Sequence, residues 1–169
     1  LAACATLEKT TAGEIIVSLD VIIRPIERRD FAAWSILWDD YNAFYGRSGA
    51  TALAPEITQM TWSRFFDTHE PVHAMVAEKN DQLLGLVHSI FHRNTIMLGP
   101  TCYLQDLFTS TATRGKGVGR ALIEAVYAHA KTAGTTRVYW HTHETNQTAM
   151  ALYDMIAMRS GFVVYAKNL

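Results

Sequence analysis

Apolar residues in one stretch recur as Val118, Ala121, Leu122, Ala125 and Val126, and this three-and-four spacing predicts a helix with one buried face. Gly134 is placed to end it. Upstream, "LDVIIRPIE" reads as a strand stopped by Pro25. The stretch "RRDFAAWSILWDDYNAFYG" follows as a helix, with Asp30 as N-cap, Phe31, Trp34, Ile36, Leu37, Trp38 and Tyr41 as a broad apolar face, and Gly46 and Gly49 breaking it. Pro55 sits in the first turn of a second helix over 55–69, whose Ile57, Met60, Trp62, Phe65 and Phe66 point mostly inward. "VHAMVAEK" and "LLGLVHSIFH" read as a hairpin around "NDQ", and "TCYLQDLFT" as the next strand. "RVYWHT" is a further strand, 146–158 a helix, and "FVVYAKN" a closing strand after Gly161. Residues 1–18 show no clean period and predict a loose arm or a non-native remnant, leaving 19–169 as the domain. The order β-α-α-β-β-β-α-β-α-β predicts the α/β class, a mixed sheet with helices on both faces.

A chain of 169 residues fits one domain with a sizeable core. Hydrophobic residues at 49% and charged ones at 18% are an ordinary globular mix. A net charge of −1 gives no electrostatic case for a nucleic-acid partner. Cys4 and Cys102 form neither a CxxC pair nor a disulfide framework, which points to a reducing, cytoplasmic setting. No apolar run approaches bilayer length, so no membrane association is expected. "LAAC" at the start looks like a lipoprotein cleavage box, but Glu8, Lys9 and Glu14 follow too soon, and it is read as coincidence.

"RGKGVGRALIEAVYAHA" sets Gly115, Gly117 and Gly119 at alternate positions and runs straight into the helix. Glycine in that role signals close approach or a positive φ angle. The helix start offers unpaired N–H groups and a partial positive charge, and Arg114, Lys116 and Arg120 add cations suited to a diphosphate. A Walker A loop would need Ser or Thr after "GKG", and a dinucleotide fingerprint would be G-x-G-x-x-G rather than G-x-G-x-G. A strand-to-helix turn with incidental glycines accounts for the same letters.

"DLFTSTATRGKGVGRALI" resembles the acetyl-CoA signature of the GNAT N-acetyltransferases, with Arg114, Gly117 and Gly119 at its fixed positions. The resemblance continues through "VYWHTHETNQTAMALYDMIAMRSGFVVY" and is similar to the branch of spermidine/spermine and histone or small-amine acetyltransferases. It implies a mostly antiparallel sheet in which one parallel strand pair, "TCYLQDLFT" and "RVYWHT", splays apart to admit acetyl-CoA. It further implies that Leu107, Phe108 and Thr109 pair with the pantetheine arm and that N–H groups from Gly115 through Val118 to Arg120 hold the pyrophosphate. Asn146 and Ala149 would complete the cofactor site, and a homodimer is the implied assembly.

The expected reaction is direct transfer of acetyl to a primary amine: a polyamine, an amino-acid-like amine or a protein lysine. Tyr153 matches the family position whose hydroxyl approaches the thioester sulfur, and it also fits a plain core tyrosine. The polyamine enzymes carry a glutamate followed by an aspartate on the signature strand; here Gln105 precedes Asp106, and Gln105 cannot take a proton. Asp106, Glu144 or an ordered water remain as the base. Gln105, Asp106, Asp39 and Trp38 are candidates for the acceptor side, where acidic residues would favour cationic amines. Aromatic rings at Trp34, Trp38, Tyr41, Phe44 and Tyr45 could line an amine pocket, but their helical spacing suits core. His141 and His143 share a strand face, yet a zinc site needs three or four ligands, so no metal is expected. Gln105 also keeps open a non-catalytic acetyl-CoA sensor, and the glycine turn a nucleotide-phosphate enzyme.

Overall fold

The computed structural model describes residues 20–169 and, before them, the strand segments Glu8–Lys9 and Ile15–Val17. Among the described residues seven strands form one sheet in chain order: β1 (Glu8–Lys9), β2 (Ile15–Val17), β3 (Val21–Pro25), β4 (Val72–Lys79), β5 (Gln82–His92), β6 (Thr101–Thr109) and β7 (Val138–Tyr139). Neighbours are antiparallel up to β6, and β6 and β7 are parallel. The expected mixed sheet, with its parallel pair in the expected place, is therefore present. The arm is corrected in part: β1 and β2 form a hairpin that extends the sheet from β3, while the rest of 1–18 lies outside the described residues.

Helices cover both faces. On one face α1 (Phe31–Phe44) and α2 (Pro55–Arg64) enclose Trp34, Leu37, Trp38 and Tyr41 against Val76, Leu86 and Phe108. On the other, α3 (Val118–Thr132) buries Val118, Ala121, Leu122, Ala125 and Val126, as its spacing requires, and α4 (Gln147–Ile156) packs beside it. Burying each such large apolar side chain contributes roughly 1.5–3 kcal/mol. Ile36, Ile57 and Met60 are corrections, exposed by 65%, 48% and 53%. The stripes of α1 and α2 are narrower than hydrophobicity alone suggests, because Trp34 and its aromatic neighbours fill the space beneath them.

Asp30 precedes α1, but its carboxylate caps nothing there. Instead it takes both ends of the buried Arg24 guanidinium at 2.7 and 2.9 Å and the Glu27 N–H at 2.7 Å. Arg24 also binds Glu78 on β4 at 2.6 Å, so one buried cation ties the start of α1 to two strands. The closing strand over 162–168 is a further correction. Residues 157–169 join no ladder, and Phe162, Val163, Val164 and Tyr165 are exposed. A short run of apolar, β-branched and aromatic residues forms a strand only when an edge pairs with it.

Candidate active site

The parallel pair is short. Only Cys102↔Val138 and Tyr103↔Tyr139 are in register, and beyond Tyr139 the chain leaves β6. The C-terminal half of β6 thus has β5 on one side and an opening on the other. A cavity of about 560 Å³ occupies that opening, walled by the end of β6, the glycine turn, α4 and the C-terminal end of α1.

The β6 wall carries a bulge. His88 pairs with Asp106 and Ser89 with Leu104, which leaves Gln105 unopposed. The extra residue reverses the alternation along the strand. Cys102 and Leu104 face the α3 side, whereas Asp106 and Phe108 face α1. Gln105 is exposed at the bulge and lines no part of the cavity.

After β6, Ser110 N–H donates to Leu84 O at 2.8 Å, and Thr113 Oγ1 bridges to the same carbonyl at 3.3 Å. This fixes the approach to the glycine turn. Gly115 and Gly117 have φ of +74° and +84°, the left-handed region that side chains resist, and open space lies where a Cβ would stand. Gly119 is helical, and a Cβ there would meet Leu152 and Thr109 at an ordinary 3.8 Å. No side chain caps α3, so its first N–H groups are left for a ligand or water. Arg114 lies over the Phe108 ring and lines the cavity. Arg120 lines it too, while its Nε donates to Glu124 at 2.7 Å.

Leu107, Phe108, Thr109, Arg114, Gly115, Gly117, Val118, Gly119, Arg120, Asn146, Ala149 and Tyr153, all singled out from sequence, share this one cavity; Lys116 is exposed beside it. Asn146 caps α4 by accepting the Ala149 N–H at 3.4 Å. The Tyr153 ring stands edge-on to Trp140, and burial, with Tyr45 nearby, pushes its pKa up to about 12. Its hydroxyl is therefore protonated at neutral pH, and no described residue hydrogen-bonds it.

The remaining candidates lie elsewhere. Asp39 and Glu144 are exposed and Trp38 is core; none of them lines the cavity. Asp106 is buried and lines no part of the cavity; it is joined to the cavity wall through Tyr41, whose hydroxyl donates to it at 2.6 Å. His141 meets the Tyr103 hydroxyl at 3.1 Å and His143 meets Thr145 at 2.7 Å. No three His, Cys, Asp or Glu side chains gather among the described residues as a metal site requires.

Of the aromatic cluster that the sequence offers either as an amine-pocket lining or as core, Trp34 and Trp38 are core, whereas Tyr41, Phe44 and Tyr45 line the cavity. Their position in the last turns of α1 was the available signal. Arg47, just past α1, packs over the rings of Tyr41 and Tyr45 at 5.9 and 5.4 Å. Its Nε donates to the buried Asn42 side chain at 2.7 Å, and it forms no ion pair with a described residue. No carboxylate lines the cavity.

The model of the acetyltransferase (GNAT) family matches residues 32–156. The chain is 32% identical over 157 residues to the D-amino-acid N-acetyltransferase HPA3 of Saccharomyces cerevisiae, covering 92% of this chain and 95% of that one. It is 26% identical over 148 residues to the uncharacterized N-acetyltransferase YhfO of Bacillus subtilis, covering 86% and 96%. Among solved structures, the aminoglycoside N-acetyltransferase AAC(6')-Iy in complex with CoA has a TM-score of 0.74 at 14% identity, covering 88% and 94%, a likeness of fold alone.

Proposed function

The chain belongs to the GNAT acetyltransferase family and is an N-acetyltransferase, and from that premise we propose that acetyl-CoA is the donor and the α-amine of an amino acid the acceptor. The observation that carries the acceptor class is the charge behind the cavity's α1 wall: Arg47, outside the lining itself, packs over the wall residues Tyr41 and Tyr45 without an acidic partner among the described residues, and none of those residues sets a carboxylate in the wall. That setting suits a ligand bearing a carboxylate next to its amine and disfavours a polyamine. HPA3, which is named for D-amino acids, supports the same class. The non-catalytic sensor and the nucleotide-phosphate enzyme give way to this reading.

The cavity fits the donor. Left-handed Gly115 and Gly117 leave room for a pyrophosphate, which the α3 N-terminus and Arg114 would hold. The exposed strand half at Leu107, Phe108 and Thr109 would pair with the pantetheine arm. Bound there, acetyl-CoA supplies an activated acetyl thioester. Tyr153, a protonated phenol on a ring held against Trp140, would donate its proton to the departing sulfur. A cytosolic homodimer completes the reading, with the second copy covering Phe162, Val163, Val164 and Tyr165.

Arg47→Ala tests the acceptor class. Loss of a charge-assisted contact should raise KM for D-phenylalanine by roughly 10- to 100-fold and leave KM for acetyl-CoA within a few-fold. An unchanged KM for the amino acid would remove Arg47 from the acceptor site.

A further inference from the structure

Tyr41, Asp106, His88 and Trp34 run in file from the cavity into the core between α1 and the sheet. Tyr41 on the wall donates to Asp106 Oδ1 at 2.6 Å. Asp106 Oδ2 meets His88 Nδ1 at 2.9 Å, and Trp34 Nε1 donates to His88 Nε2 at 3.0 Å. Exposures fall along the file from 7% and 8% at Tyr41 and Asp106 to 2% at His88 and 0% at Trp34.

An indole N–H can only donate, so His88 Nε2 carries no hydrogen and the single ring proton sits on Nδ1, aimed at Asp106. Both Asp106 oxygens then accept, which is the arrangement of an ionised carboxylate. Burying such a charge beside a histidine and a tyrosine stabilises a fold no better than apolar side chains would. Its connection to the cavity through one hydroxyl calls for another account.

We infer that Tyr41 and Asp106 take the proton that the acceptor nitrogen sheds during acetyl transfer. Tyr41 touches the acceptor and is the catalytic residue of the pair. Asp106 acts through it, and His88, held by Trp34, positions the Asp106 carboxylate. The inference rests on N-acetyl transfer in this cavity and not on the acceptor's class.

As the neutral amine's lone pair forms the C–N bond to the acetyl carbon, the nitrogen becomes cationic and its N–H acidic. One such proton passes to Tyr41 Oη while Tyr41's own hydroxyl proton passes to Asp106 Oδ1. The C–S bond breaks with its electron pair on sulfur, and the sulfur takes the Tyr153 hydroxyl proton. Asp106 is then a carboxylic acid and Tyr153 a phenolate, and one proton returned through solvent restores both. Burial and the Asp106 charge push the Tyr41 pKa far up, so its phenol relays a proton rather than holding negative charge. The groups facing Asp106 are Tyr41 of α1 and Tyr45 at its C-cap with Arg47 beyond them, His88 of β5 and Tyr103 of β6. The indole N–H occupies His88 Nε2, so the proton stops at Asp106.

The test uses Tyr41→Phe, Asp106→Asn and the double variant in single-turnover transfer from acetyl-CoA to D-phenylalanine and, separately, to spermidine, between pH 6 and pH 9. Each single variant should lose roughly 10- to 1,000-fold in rate. The double variant should be no slower than the worse single one, because both remove the same path. Variant rates should keep rising with pH where the wild-type rate levels off, as hydroxide replaces the relay. Tyr41→Phe keeps the ring stacked on Trp38 at 5.4 Å, and it decides the matter alone if Asp106→Asn fails to fold. A wild-type rate and pH profile in folded Tyr41→Phe, or additive losses in the double variant, would overturn the relay. A wild-type preference for spermidine would instead overturn the amino-acid reading, with the relay still measured on that acceptor.

Discussion

Tyr153 and Trp140 meet edge to face, ring centroids 5.2 Å apart at 66°, so the phenol's position is set by its ring and not by a bond to its oxygen. A ring held this way can lose its hydroxyl without moving. Tyr153→Phe should therefore lower kcat by roughly 10- to 1,000-fold while CoA affinity stays within a few-fold and the melting temperature is unchanged. Steady-state kinetics with calorimetry on CoA would check it. Wild-type kcat in the folded variant would leave the departing thiolate to water.

The glycine turn separates two effects that the sequence merges. Gly117→Ala forces a side chain into a φ of +84° and should cost about 1 kcal/mol of stability as well as weakening CoA binding. Gly119→Ala adds a helical alanine with contacts no closer than 3.8 Å, so stability should rise by up to about 1 kcal/mol. Its methyl group faces the cavity, and CoA affinity should fall. Thermal melts paired with CoA titrations would show whether the signs diverge. Equal stability changes at the two sites would contradict the distinction.

At the far end of the sheet His73 and His129 pack edge to face at 4.8 Å, with Phe91 against both. Burial lowers both pKa values below 6.5, and for His73 the neighbouring His129 adds to it. The folded protein holds these rings neutral to a lower pH than the unfolded chain does, which takes up protons as pH falls through about 6.5. Stability is therefore flat above that value and declines below it. Asp30, whose pKa burial would raise but Arg24 and the Glu27 N–H bring below 3.8, adds a loss at lower pH. Melting temperatures from pH 7.5 to pH 5 should fall in the wild type and fall less in His73→Phe. A flat wild-type profile would refute the linkage.

The α3 face and the glycine turn were legible because both are local: a helical period in one case, spacing against backbone conformation in the other. Asp106 was not. Its orientation depends on the bulge at Gln105, which exists only in the pairing of β5 with β6. Tyr41, Phe44 and Tyr45 could not be separated from the core members of their cluster, because periodicity marks the apolar side of a helix and cannot mark where its end overhangs a cleft. The segment over 162–168 has a strand's apolar run, Phe162 to Tyr165, but pairs with no described strand, and an apolar run alone makes no ladder.

The most direct test of the acceptor assignment compares D-phenylalanine, 2-phenylethylamine and spermidine with the wild-type protein and acetyl-CoA. The first two share an aromatic ring and a primary amine and differ in the carboxylate that Arg47 would bind. The account predicts kcat/KM for D-phenylalanine at least about 10-fold above that for 2-phenylethylamine, with spermidine lower still. Equal or faster acetylation of 2-phenylethylamine or spermidine would contradict it.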